Sequence, residues 1–239
     1  MIRIAAVGDV HLGPDARGAL RPALETLPGH ADILLLAGDL TRHGSVSEAD
    51  VVAKEFEGLG LPVVAVLGNH DYHGDQQDDV ATLLEDHGVT VLEGDTAVRE
   101  VHGVRVGVAG VKGFGGGFAG KCGTAFGEQE MKAFIGHTEQ VSERLRTALA
   151  DLDSDVRIAL THYAPVKDTL RGEPPEIYPF LGSYLLGAAI DAAGADLAVH
   201  GHAHFGTEQG VTPCGVRVRN VAQPVIGAAF HVYTLPRGP

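Results

Sequence analysis

This chain of 239 residues has no tryptophan, only two cysteines, 5% aromatic residues and few basic side chains. Cys122 and Cys214 are too few for a disulfide framework and do not form a C-x-x-C pair, so a reducing, cytoplasmic setting is expected. No apolar stretch approaches the roughly 20 residues needed to cross a bilayer. The opening MIRIAAVGDVHLG also lacks the long hydrophobic segment and cleavage site of a secretory leader. Membrane attachment is therefore not expected. Eighteen Lys and Arg against 31 Asp and Glu leave a formal charge of −13. That balance argues against stable nucleic-acid binding, which rests on clustered cations that displace counterions. A small nucleotide drawn in by a metal remains compatible with it. Internal repeats, charge blocks and linkers rich in Pro, Gly or Ser are missing too, so a single domain over 1–239 is expected. Nothing in the sequence speaks to oligomeric state.

What is present is ordinary globular composition, 44% apolar and 21% charged, with an unusual 13 histidines. Short runs rich in Val, Ile and Leu recur at 2–7, 32–37, 62–67, 104–111, 156–160 and 196–199, and such continuous runs read as strands buried on both faces. Helical patterns lie between them at 16–27, 45–59 with Ser45 as N-cap, 76–87, 128–149 and 182–193. Alternation of this kind means an α/β fold. Closely spaced strands at 96–101 and 104–111, and again at 216–224 and 228–235, predict mixed rather than purely parallel sheets.

Five of the apolar runs end in the same way, each followed at once by a residue able to ligate a metal: AAVGDVH, LLLAGDL, AVLGNHD, IALTHY and LAVHGHAH. Ligands of open α/β sheets bind outside the carboxyl ends of the strands, so these tips should converge. They deliver Asp9, His11, Asp39, Asn69, His70, Asp71, His162, His202 and His204. Imidazole mixed with carboxylate suits divalent transition metals such as Mn, Fe or Zn.

The ordered series D-x-H, G-D, G-N-H-D, H and G-H-x-H, from Asp9 to His204, resembles the calcineurin-like metallophosphoesterases. The resemblance implies a four-layer α/β/β/α sandwich with two mixed sheets and a dinuclear centre at its edge. It puts Asp9, His11 and His204 on one ion and Asn69, His162 and His202 on the other, with Asp39 bridging. His70 would meet the phosphate and protonate or stabilise the leaving oxygen, and Asp71 would orient the His70 ring. The expected reaction is hydrolysis of a phosphomonoester or phosphodiester by a metal-bound hydroxide. Bacterial cyclic-nucleotide phosphodiesterases share the series, so a cyclic nucleotide is a reasonable first substrate.

Other residues divide less sharply. Asn69, His70, Arg42 and His43 are candidate substrate contacts, the last two because they follow Asp39 in GDLTRHG. His200 reads as a supporting or core histidine rather than a ligand. The segment 113–123, GFGGGFAGKCG, reads as a mobile surface loop that could shape the pocket. Its Gly115-x-x-x-x-Gly120-Lys121 nearly matches a phosphate-binding P-loop, but Cys122 stands where Ser or Thr is needed and no helix pattern follows at once. A P-loop nucleoside triphosphatase is thus a distant alternative. A non-catalytic interaction scaffold is another, although scaffolds on such folds lose ligands and this series is whole.

Overall fold

The computed structural model describes residues 1–236. The strands are β1 (Ile2–Val7), β2 (Ile33–Ala37), β3 (Val63–Val66), β4 (Val89–Val91), β5 (Asp95–Val101), β6 (Val104–Val111), β7 (Gly117–Phe118), β8 (Lys121–Cys122), β9 (Val156–Thr161), β10 (Leu197–His200), β11 (Gln209–Val211), β12 (Arg217–Asn220) and β13 (His231–Leu235). One sheet has the order β13-β1-β2-β3-β4 and the other β11-β12-β10-β9-β6-β5, while β7 and β8 form a separate ribbon. Both sheets are mixed, with central parallel strands and antiparallel pairing at the edges: β13 on β1, β5 on β6 and β11 on β12.

Strand parity builds the layers. Ile2, Ile4, Ile33 and Leu35 point into a core shared with Val106, Val108, Ile158 and Leu160 of the facing sheet. Their neighbours Ala5, Val7, Leu34 and Leu36 point the other way, against Val52, Phe56, Val80 and Leu84 of the helices Val46–Phe56 and Gln77–Asp86. On the far side Ala109, Ala159 and Ala198 pack on Val141, Leu145, Leu186 and Ile190 of the helices Gln129–Ala150 and Tyr184–Ala193. The result is the expected four-layer α/β/β/α sandwich. With both faces covered, the strands read as continuous apolar runs rather than alternating ones.

Local chemistry fixes the helix ends. Ser45 Oγ accepts the Glu48 N–H at 3.3 Å, and Gly194 closes the helix Tyr184–Ala193 in the left-handed conformation. Two expectations need correction. The segment 16–27 is not one helix but two short ones, Arg21–Leu24 and Leu27–His30, because Pro22 and Pro28 each start a turn and cannot continue one. The last two strands are not neighbours: a turn of helix, Gln223–Ile226, lies between β12 and β13 and carries the chain from one sheet to the other.

Candidate metal centre

The parallel registers Ala37↔Val66, Val111↔Thr161 and Leu160↔Val199 bring the C-terminal tips of the strands to one edge of the sandwich. There the sheets close on each other. The His162 ring, from the tip of β9, donates Nδ1–H to the carbonyl of Ala37 at the end of β2, 2.8 Å away. Glycine makes this approach possible. A Cβ on Gly68 would lie 2.1 Å from Asp39 Oδ1, and one on Gly201 2.2 Å from Asp9 Oδ2.

Two groups of donors result. Asp9, His11, Asp39 and His204 offer ligand atoms that all lie within 4.8 Å of one another, and so do Asp39, His162 and His202. Asp39 belongs to both. His204 Nε2 is 2.9 Å from Asp9 Oδ1, and His11 Nε2 is 3.5 Å from His204 Nε2 and 3.8 Å from Asp39 Oδ2. Asn69 Oδ1 lies 3.0 Å from His162 Nε2, which is itself 3.3 Å from Asp39 Oδ1. Asp9, His11, Asp39 and His202 all hold positive φ, between 43° and 69°. Such backbone costs on the order of 1 kcal/mol or more per residue and persists where the surroundings over-determine it.

The donor set fits a cation. Asp9 and Asp39 are buried, 2% and 1% exposed, and among the described residues neither pairs with a Lys or Arg. Because His162 spends its Nδ1–H on Ala37, its Nε2 faces two acceptors, Asn69 Oδ1 and Asp39 Oδ1. Only a second proton or a shared cation relieves three converging lone pairs. Burial opposes charge on both members of the pair, but their mutual attraction wins: His162 rises, and the Asp39 carboxyl falls well below the usual range. His202 donates Nε2–H to the Phe180 carbonyl at 3.2 Å, which leaves Nδ1 as its free lone pair, and burial holds the ring neutral with a pKa of about 3. Carbonyl-bound imidazoles of this kind have their tautomer and orientation set in advance.

His70 and Asp71 need a correction. The His70 ring donates Nδ1–H to the Arg42 carbonyl at 2.8 Å, not to Asp71, and its half-exposed Nε2 stands 4.0 Å from Asp39 Oδ2. Asp71 instead accepts the N–H groups of Leu40, Thr41 and Gly68 and the Thr41 hydroxyl, so it staples the tips of β2 and β3 together. Burial and the neighbouring Asp39 push its pKa up, against the pull of those donors.

Arg42 and His43 do not reach the donor groups with their side chains. Asp15 takes the Arg42 guanidinium at 2.9 Å and Glu48 takes the His43 ring at 3.1 Å. His200 is no ligand: Nδ1 is tied to the Gly201 carbonyl and Nε2 to Thr169 Oγ1, and burial lowers its pKa to about 4.

The segment 113–123 is not a loose surface loop in its first half, where Gly113 and Gly115–Phe118 are buried. Gly116 and Gly117 donate to the carbonyls of Pro179 and Gly182, which flank Phe180. Lys121–Cys122 is a ribbon strand and the next helix starts at Gln129, so the strand-loop-helix of a P-loop does not form. Sequence reasoning missed the carbonyls of Ala37, Arg42 and Phe180, and the space left by Gly68 and Gly201. For the glycines a signal was visible, since one precedes a donor at four of the five tips.

No helix among the described residues is long and apolar enough to cross a membrane. A model of the calcineurin-like phosphoesterase family matches residues 2–206, which contain every donor named above. A probable cyclic nucleotide phosphodiesterase of Synechococcus sp. is 36% identical over 80 residues, 29% of this chain and 31% of that protein. The match thus spans less than a third of that relative. The crystal structure of a phosphopantetheinyl hydrolase from Mycobacterium tuberculosis superposes with a TM-score of 0.69 at 15% identity, covering 98% of this chain and 96% of that one. GAP50, the anchor in the inner membrane complex of Plasmodium, shares the fold with a TM-score of 0.57 at 12% identity over 100% of this chain and 74% of its own. With its five donor-bearing strand tips inside the matched region, the chain belongs to the calcineurin-like phosphoesterase family.

Proposed function

We propose that the protein is a metal-dependent phosphoric ester hydrolase with two divalent transition-metal ions, of the Mn, Fe or Zn class. The observation that carries this reading is Asp39, a buried carboxylate common to two separate donor groups. Asp9, His11 and His204 would complete one site, and Asn69, His162 and His202 the other. When bound, two such ions would activate water and neutralise phosphoryl oxygens.

The chain's own residues do the rest. Asp71 holds the His70 turn against Leu40 and Thr41, and the Arg42 carbonyl fixes the His70 tautomer. That leaves Nε2 on the side of Asp39 Oδ2, 4.0 Å away, where the doubly protonated ring would give its Nε2 proton to the leaving oxygen and return to the neutral Nδ1–H form. Arg42 and His43 contact substrate only if they leave Asp15 and Glu48. Substrates are small phosphate mono- or diesters, with a cyclic nucleotide the first to try, as the name of the Synechococcus relative suggests. The two exposed free cysteines support a cytoplasmic location.

The test is metal content together with turnover of mono- and bis-aryl phosphates. Asp39→Ala should lose metal and activity together. His70→Ala should keep its metal and lose about 10²–10⁴ in kcat, the range of a general acid. Metal-free protein without turnover would favour the scaffold reading instead, and turnover indifferent to both changes would overturn this assignment of the site.

A further inference from the structure

Strand β6 ends as the donor-bearing strands do, with a polar side chain at its C-terminal tip. Lys112 follows Val111, whose partner in the register is Thr161, so Lys112 stands beside His162. The two tips are tied together. The Lys112 carbonyl accepts the N–H groups of His162 and Tyr163, each at 3.0 Å, and its own N–H donates to Glu93 Oε2 at 2.9 Å.

The side chain is buried, the residue being 8% exposed, and its ammonium lies 4.9 Å from the ring centre of Tyr72, 5.1 Å from Phe114 and 5.3 Å from Tyr163. This cage adjoins the candidate metal centre. Tyr72 directly follows the Asn69–Asp71 turn, and the Tyr163 ring is 4.4 Å from the His202 ring.

An ammonium has three N–H donors. Among the described residues they meet one acceptor, the Gly113 carbonyl at a long 3.4 Å. Among the described residues no carboxylate forms an ion pair with it: Glu93 gives Oε2 to the Lys112 backbone and Oε1 to Arg144. Burial accordingly lowers the pKa of Lys112, against the pull of Glu93 and Asp39. Folding gains little from such a residue, because an apolar side chain of the same length would fill the cage without desolvating a charge. Aromatic faces hold a cation in place while leaving its hydrogens available.

We propose that Lys112 is an anion-binding residue of this centre, its caged ammonium donating to a phosphoryl oxygen of the substrate. The assignment rests on the phosphoesterase reading above for the identity of the anion. It also explains how an acidic chain secures an anionic substrate with a cation of its own in addition to any metal.

The test uses metal-loaded protein, inorganic phosphate as the probe by titration calorimetry, and kcat and KM for bis-p-nitrophenyl phosphate. Lys112→Met should weaken phosphate binding by about tenfold or more and raise KM by a similar factor. Metal content should stay unchanged and the melting temperature should hold or rise, since a buried charge has been removed. Lys112→Arg should restore most of the phosphate affinity. Phosphate affinity within about twofold of wild type in Lys112→Met would overturn the proposal. So would a lowered melting temperature with loss of metal, which would make Lys112 a structural prop. Lys112-dependent phosphate binding without turnover of any ester would leave this proposal standing and remove the phosphoesterase reading. Turnover with phosphate binding indifferent to Lys112 would do the reverse.

Discussion

At Gly201 the space for one methyl group decides whether Asp9 keeps its place. The Cβ of an alanine would fall 2.2 Å from Asp9 Oδ2 and 2.9 Å from the Ala37 carbonyl, neither of which is the free end of a flexible side chain. Asp9 is further held by the His202 N–H, at 2.9 and 3.0 Å from its two oxygens, so any shift passes to both residues. Gly201→Ala should therefore weaken metal binding by about 10–100-fold, the usual effect of disturbing a group that supports a ligand. Competition with a chelator measures this, and an unchanged affinity would refute it. The donor side chains were legible in the sequence because few residue types can ligate a metal and each followed an apolar run. The atoms that orient them were not. His162, His70 and His202 are aimed by the carbonyls of Ala37, Arg42 and Phe180, and every residue type supplies a carbonyl. For the same reason the family resemblance put Asp71 beside His70, where a main-chain oxygen holds that position instead.

Among the elements, strands were the most readable, since burial on both faces writes a continuous apolar run such as 33–37 or 156–161. Helix 16–27 failed because its apolar spacing was read through Pro22, which restarts the chain, and Pro28 starts the next turn at its end. The glycines at 115–117 read as flexibility, whereas they mark contact with the segment 179–182. The join between β1 and β2 carries a test of its own. Asp32, just before β2, accepts the Arg3 backbone N–H at 2.8 Å and the guanidinium at 2.7 Å, with His102 Nε2 at 3.2 Å. Burial would raise its pKa, but these donors hold it below the ordinary 3.8. A depressed carboxyl stabilises the fold above its unfolded pKa and loses that contribution as pH falls through the folded value. Asp32→Asn should accordingly cost about 1 kcal/mol near neutrality, the low end for a charged hydrogen bond because Arg3 is partly in solvent. The gap from wild type should narrow as pH drops below about 4. Urea unfolding at pH 7 and pH 3.5 reads both values, and a gap that stays constant would show that the charge contributes nothing.

For the whole molecule, the scarcity of basic residues now has a local meaning. Of the acidic residues assigned to the centre, Asp9, Asp39 and Asp71, the first two stay buried without a Lys or Arg partner among the described residues. The fold therefore carries two buried carboxylates whose neighbours are imidazoles at the edge where its two sheets meet, and a cation that binds only the folded state must stabilise it by mass action. At a free metal concentration of 100 times Kd this is about 2.7 kcal/mol per site. For a chain of this size each kcal/mol moves the melting temperature by about 2–4 °C. Stripping the metal with a chelator should then lower the melting temperature by about 5–10 °C for one site and more for two. Adding Mn or Zn back should restore it. Asp39→Ala, which removes the carboxylate common to both donor groups, should melt at the same temperature with or without metal. Equal melting temperatures for stripped and reconstituted wild type would mean that this edge of the sandwich, despite its converging donors, does not hold a cation.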